Sequence, residues 1–240
     1  MVEVTVILPT YNERENLPII IPAIEDVFEE EGWDAEILVV DDDSPDGTAE
    51  VARELAEEYG NIRVIVRKEK PGLGLAYRRG FKEAEGDVVV CMDADGQHPP
   101  EYLPDLVNPV LEGKWDFSLG SRYVEGAVLE NFPWYRRLNS WGARLVAKIL
   151  LKIPYKDPTS GFRAIDREIV EKGFPYVSEG FEIQVETLAK AHYMGYRVEE
   201  VPFTFRPRER GASNVNIRQI LRYIRGVLRI RKHLKERGLM

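Results

Sequence analysis

The chain has 240 residues, of which 44% are hydrophobic and 31% charged, with no Pro/Gly/Ser-rich linker dividing it, a composition that excludes disorder. A formal net charge of −8 argues against a general nucleic-acid binder, and a single cysteine, Cys91, excludes an internal disulfide or a cysteine-built zinc site. No apolar run approaches the roughly 20 residues that cross a bilayer, and Met1-Val-Glu-Val4 is not a basic, signal-like start, so the sequence predicts a cytoplasmic protein.

In chain order, Val4 to Leu8 reads as a strand, about Asn16 to Glu31 as a helix, and Ile37 to Val40 as a strand. Thr48 to Tyr59 then reads as a helix, Ile62 to Val66 as a strand, about Gly74 to Glu85 as a helix, and Val88 to Met92 as a strand running directly into Asp93. This alternation predicts an α/β fold with a mostly parallel sheet, and the near-continuous apolar strands predict helices on both faces. Cys91 falls inside the last strand and is expected to be a packed core thiol.

Ligands of open parallel sheets bind beyond the carboxyl ends of the strands. Three predicted strand ends carry polar clusters: Pro9-Thr-Tyr-Asn-Glu13, Asp41-Asp-Asp-Ser-Pro-Asp-Gly47 and Asp93-Ala-Asp-Gly-Gln-His98. Asp93-Ala94-Asp95 is a DXD motif whose two carboxylates, with the amide oxygen of Gln97 as a third donor, suit Mg²⁺ or Mn²⁺. Such an ion keeps positions for substrate phosphates, so a diphosphate-bearing nucleotide is the expected partner. His98, followed by Pro99-Pro100, reads as a turn residue. The like charges of Asp41 to Asp43 require compensation by a cation or by hydrogen-bond donors. Neither a three-glycine dinucleotide fingerprint nor a Walker A sequence occurs.

Charge is unevenly spread: residues 217–240 hold eight Lys/Arg against one acid, Glu236. Ile217, Ile220, Leu221, Ile224, Val227 and Leu228 form an apolar stripe at helical spacing, with Arg218, Arg222, Arg225, Arg229 and Lys232 on the other side. We expect a catalytic domain over 1–215 and a basic amphipathic helix over 216–240, which suits a membrane surface as partner or a helix packed on its own domain. Phe132-Pro-Trp-Tyr135 and the stretch Ala143 to Leu151 could add an aromatic and apolar acceptor loop.

Six ordered blocks resemble the family 2 glycosyltransferases of the dolichol-phosphate mannosyltransferase type. They are Leu8-Pro-Thr-Tyr-Asn-Glu13, Val39-Val-Asp-Asp-Asp-Ser-Pro-Asp-Gly47, Met92-Asp-Ala-Asp95, Gly120-Ser-Arg-Tyr123, Asp157-Pro-Thr-Ser-Gly-Phe-Arg163 and Val201-Pro-Phe-Thr-Phe205. The resemblance implies a GT-A fold, a GDP-mannose donor, a dolichyl or polyprenyl phosphate acceptor, and inversion at the anomeric carbon. It implies that Pro9, Tyr11, Glu13, Asp42, Asp93, Ala94, Asp95 and Arg208 bind the nucleotide-sugar, and that Asp93, Asp95 and Gln97 hold the metal. Arg122, Arg136 and Ser140 are implied to receive the acceptor phosphate. Asp95, Arg122, Arg136 and Arg208 are then the residues expected to support catalysis. Gly96 stands where the family often has a large apolar residue, so UDP-glucose stays open as donor. Gly211-Ala-Ser-Asn214 lacks the family's usual lysine. A membrane subunit remains open as a further partner. A non-catalytic nucleotide-binding domain also fits an acidic metal pocket, but leaves the arginines without purpose.

Overall fold

The computed structural model describes residues 2–130, 134–206 and 217–240; the side chains at 135, 136, 217 and 218 also lie outside the description. Among the described residues the strands are β1 (Val4–Thr10), β2 (Ala35–Asp41), β3 (Ile62–Val66), β4 (Val88–Cys91), β5 (Phe117–Ser121), β6 (Val128–Leu129), β7 (Arg163–Asp166), β8 (Val198–Pro202) and β9 (Thr204–Phe205). The helices are α1 (Leu17–Glu31), α2 (Thr48–Tyr59), α3 (Leu73–Glu83), α4 (Leu103–Leu111), α5 (Trp134–Leu151), α6 (Arg167–Gly173), α7 (Ile183–Tyr193) and α8 (Ile217–Glu236). Seven strands form one sheet in the order β3-β2-β1-β4-β7-β5-β8, and β6 pairs with β9 separately. The large sheet is parallel except for β7, which runs antiparallel to both β4 and β5.

Period-two alternation divides the apolar residues between two cores. Val4, Val6 and Leu8 of β1, Ile37 and Val39 of β2, and Val88 and Val90 of β4 pack with α1, α2 and α4. Ile7, Leu38, Val40, Val89 and Cys91 face the other way and pack with α3, α5, α6, α7 and α8. Covering both faces explains why these strands are largely apolar. Cys91 is the expected core thiol, and burial pushes its pKa up to about 12. Element ends shift slightly from expectation: α1 starts at Leu17 with proline in its first turn, and β1 continues two residues past Leu8 because Pro9 and Thr10 still pair with Val40 and Asp41.

Helix α8 is part of this packing. Val227, Ile230 and Leu234 are fully buried in the second core, while Ile220, Leu221 and Leu228 remain 41%, 48% and 46% exposed. The single stripe expected from Ile217 to Leu228 is therefore split between two surroundings. A Cβ at Gly226 would lie 2.7 Å from Glu182 Cγ, so α8 approaches the start of α7 closely. Tyr223 Oη donates to Ala143 O at 3.2 Å, tying α8 to α5. Among the described residues, no helix is long and apolar enough to cross a membrane.

Candidate active site

Strands β1, β2 and β4 are parallel neighbours, with Thr10 opposite Asp41 and Ile7 opposite Cys91, so their carboxyl ends share one sheet edge. Strand order reverses between β1 and β4, where open α/β sheets bind ligands. Cys91 and Leu119 both pair with Arg163 of antiparallel β7, so β5 points the same way and delivers Arg122 to that edge.

The first two clusters form one hydrogen-bonded unit. Asn12 N donates to Ser44 Oγ at 3.0 Å, and Glu13 N to Thr48 Oγ1 at 3.0 Å. Asp41, fully buried, accepts from Thr10 Oγ1 at 2.9 Å, Ser44 N at 2.8 Å and Ser44 Oγ at 2.6 Å. Asp42 accepts from Arg67 Nη1 through one oxygen and from Gly72 N at 2.6 Å through the other. Burial pushes the Asp42 carboxyl above its ordinary pKa, opposed by the Gly72 N–H and the Arg67 guanidinium. The compensation required for the acidic run is thus internal for Asp41 and Asp42, while Asp43 is exposed. Pro9 and Glu13 are partly buried and Tyr11 is 53% exposed at the rim, leaving its ring open to a ligand.

The third cluster turns immediately after β4. Asp93 N donates to His98 Nδ1 at 3.0 Å, and Asp95 Oδ1 accepts from Gln97 N at 3.1 Å, while Gly96 takes the left-handed φ of 77° that the turn requires. His98 is buried and stacks on Phe162 at 5.1 Å and 8°. Burial lowers its pKa to about 4, so the ring is neutral, with Nδ1 accepting and the proton on Nε2. Its approach of 3.9 Å to Asp93 Oδ2 is therefore not an ion pair at neutral pH. The Asp93 side chain is 31% exposed, and its Oδ1 lies 3.5 Å from the buried hydroxyl of Tyr77. The buried Ala94 and Asp95 complete the turn, and Gln97 Nε2 reaches Arg206 O at 3.4 Å. Asp93, Asp95 and Gln97 thus share one turn and offer oxygen donors suited to a hard divalent ion. Among the described residues, no group of three His, Cys, Asp or Glu side chains is arranged to hold a metal ion. A two-carboxylate site completed by substrate phosphates is consistent with that donor set.

Arg122 is held by Asp157: Nε donates to Oδ2 at 2.7 Å and Nη2 to Oδ1 at 2.8 Å, with Asp157 fully buried. Burial disfavours both charges. Each partner outweighs it, raising the arginine and lowering the carboxyl from their ordinary pKa values. Glu200 fixes the same loop through the backbone N–H groups of Lys156 and Asp157, at 2.7 and 2.9 Å. Tyr123 Oη lies 2.9 Å from Ser140 Oγ, which brings Ser140 of α5 beside the residue following Arg122. Arg208 lies outside the described residues, as does the side chain of Arg136.

Residues 5–174 match the family model described as Glycosyl transferase family 2. The chain belongs to this glycosyltransferase family. It is 49% identical over 232 residues to a Pyrococcus furiosus protein named dolichol-phosphate mannosyltransferase, spanning 96% of this chain and 64% of that relative's length. It is 42% identical over 225 residues to a polyprenol monophosphomannose synthase of Mycolicibacterium smegmatis, spanning 90% of this chain and 83% of the relative. Among solved structures, glucosyl-3-phosphoglycerate synthase from Mycobacterium tuberculosis with Mn²⁺ and UDP-glucose has a TM-score of 0.71 at 22% identity, over 98% of this chain and 79% of that one. Mannosyl-3-phosphoglycerate synthase from Rubrobacter xylanophilus has a TM-score of 0.71 at 23% identity, over 100% and 76%. These likenesses show that the glycosyltransferase shares the expected GT-A fold.

Sequence reasoning missed several residues around the glycosyltransferase site. Arg67 follows β3 directly and carries no motif; its signal was a cation just past a parallel strand end. Asp157 and Tyr123 sit inside blocks that carry the family resemblance, but their roles become readable only when Arg122 and Ser140 are seen beside them. Tyr77 had no signal, because helical periodicity marks it only as core.

Proposed function

We propose that this chain is an inverting glycosyltransferase that moves a hexose, mannose from GDP-mannose, onto dolichyl or polyprenyl phosphate at the cytoplasmic face of a membrane. The observation that carries the reading is the meeting, at one sheet edge, of the turn Asp93-Ala94-Asp95-Gly96-Gln97 with Arg122, which follow strands that both pair with Arg163. The names of the two relatives, which share over 40% of aligned residues with this chain, support the sugar and the acceptor.

Asp93, Asp95 and Gln97 would hold Mg²⁺ or Mn²⁺, which when bound supplies Lewis-acid neutralisation of the departing diphosphate. Pro9, Tyr11, Glu13 and Asp42 line the nucleotide side, and Arg208 is assigned to the diphosphate. Arg122, Arg136 and Ser140 are assigned to the acceptor phosphate, where arginine forks match phosphate oxygens. A phosphate monoester has a second pKa of about 6, so its attacking oxygen is already ionised at neutral pH and no strong protein base is required. Asp95 accordingly acts as a ligand, with its backbone-anchored carboxylate kept in place by Gln97 N.

Membrane approach is assigned to α5 together with α8. Trp134, Leu138, Trp141, Leu145 and Ile149 line one exposed stripe of α5, and Ile220, Leu221 and Leu228 are exposed on α8. Exposed Arg222, Arg225 and Arg229 on α8 suit anionic headgroups. Thermal melting tests the donor side: GDP should raise the melting temperature only with Mn²⁺ or Mg²⁺, and Asp93→Ala should abolish the metal-dependent part. A rise caused by UDP instead would move the reading to a UDP-sugar. Full metal-dependent stabilisation in Asp93→Ala would remove the metal assignment.

A further inference from the structure

We propose that Arg144 is a phosphate-binding residue of the acceptor subsite, held against Tyr123, the residue that also meets Ser140 and Arg122. The assignment rests on the reading that the acceptor is a lipid phosphate. It starts from how little of Arg122 is left to bind one. Arg122 gives Nε and Nη2 to Asp157, and Nη2 also reaches Thr159 Oγ1 at 3.2 Å. Its Cζ lies 5.1 Å from the Phe205 ring centroid and 5.7 Å from that of Tyr123. Arg122 is thus a fixed charge with most of its hydrogen-bonding fork already engaged, which leaves a role beside Arg136 for a further guanidinium.

Arg144 supplies it. On α5 it sits one turn beyond Ser140, so the two share a helix face. Its Cζ lies 3.4 Å from the Tyr123 ring centroid. Stacking of this kind occupies the face of the guanidinium and leaves the N–H groups in its plane for other acceptors. Nη1 donates to Lys156 O at 3.1 Å, whereas Nε is buried without an acceptor. The N–H groups of Nη2 are left to meet an anionic oxygen. The same Tyr123 orients Ser140 through its hydroxyl at 2.9 Å. The charge of Arg144 also helps to hold the Asp157 carboxyl down, which places it in the same electrostatic field as Arg122. One tyrosine therefore gathers a hydroxyl, a stacked guanidinium with Nη2 left over and an anchored guanidinium, a set that recognises a phosphate monoester.

The test uses the full metal-loaded chain, a polyprenyl phosphate in detergent, and whichever of GDP-mannose or UDP-glucose it turns over. Arg144→Gln should raise the acceptor KM by about tenfold or more while the donor KM and the melting temperature stay near those of the unaltered chain. Arg144→Lys, which keeps the charge but not the fork, should recover part of the loss. An unchanged acceptor KM in Arg144→Gln, while the unaltered chain transfers sugar, overturns the role of Arg144 alone. Parallel changes in both KM values and in melting temperature mark a merely structural tie to Lys156 and also overturn it. Absence of any lipid-linked product from the unaltered chain overturns the functional reading, and the assignment with it.

Discussion

Asp157 clasps Arg122 from both sides of its carboxylate, with Nε 2.7 Å from Oδ2 and Nη2 2.8 Å from Oδ1, and the Arg122 backbone N–H adds a third bond at 3.1 Å. The pair is buried on the acid and nearly so on the arginine. Its contribution is therefore position: Arg122 stands fixed at the sheet edge before any ligand arrives.

Removing the acid should strand that charge. Asp157→Asn is expected to lower stability by about 3 kcal/mol, since breaking a buried pair leaves one partner uncompensated. Because Arg122 holds the folded-state pKa of Asp157 below its unfolded value, the stability gap between the unaltered chain and Asp157→Asn should be full above about pH 5. It should shrink as pH falls through the lowered pKa. Urea unfolding across pH measures both, and a gap that grows with acidity contradicts the assignment.

His98→Phe should keep the stack on Phe162 but remove the His98 Nδ1 acceptor of the Asp93 N–H. An unsatisfied buried donor costs about 1–3 kcal/mol. The larger consequence is expected in metal-dependent GDP binding, which should weaken because the turn carrying Asp93 loses its anchor. Titration of GDP with and without Mn²⁺ separates the two effects.

Gly74 has no room for a side chain: a Cβ there would lie 2.7 Å from Glu179 C and 2.9 Å from Gly180 N, both backbone atoms. Gly74→Ala should cost about 1–3 kcal/mol by overpacking. It should also weaken nucleotide binding, because Gly72 N, two residues earlier, bonds Asp42 at 2.6 Å. Melting temperature and GDP affinity should fall together.

Membrane binding calls for point changes instead of truncation. Deleting residues 217–240 would remove Val227, Ile230 and Leu234 from the core, so lost binding would be indistinguishable from unfolding. Trp141→Glu with Leu145→Glu changes only the exposed stripe of α5. The double variant should co-sediment less with anionic vesicles while melting at the same temperature; equal co-sedimentation would reject this surface as the docking face.

The strands nearest the site were legible because their burial is two-sided: Val4 to Leu8, Ile37 to Val40 and Val88 to Cys91 show nearly continuous apolar runs of strand length between turn residues. Strand β7 was not legible, being four residues long, charged at both ends and antiparallel, so neither length nor period marks it. The periodicity of α8 was readable, yet which positions are buried depends on neighbours: Gly226 and Val227 meet α7 and the second core, while Leu221 and Leu228 stay about half exposed. At the site, the acidic run announced its need for compensation, but the compensators of Asp42, Arg67 and Gly72, lie about 25 to 30 residues away in sequence. Long-range pairs of this kind become visible only when the chain is folded.

The central claim is tested most directly by incubating the chain with labelled GDP-mannose, a polyprenyl phosphate and Mn²⁺, and following the label into the lipid fraction. The account predicts metal-dependent formation of a phosphate-linked mannosyl lipid, lost in Asp93→Ala and on chelation. No lipid-linked label from GDP-mannose or UDP-glucose, in a chain that GDP and Mn²⁺ still stabilise, would contradict it and leave a nucleotide-binding domain without transfer.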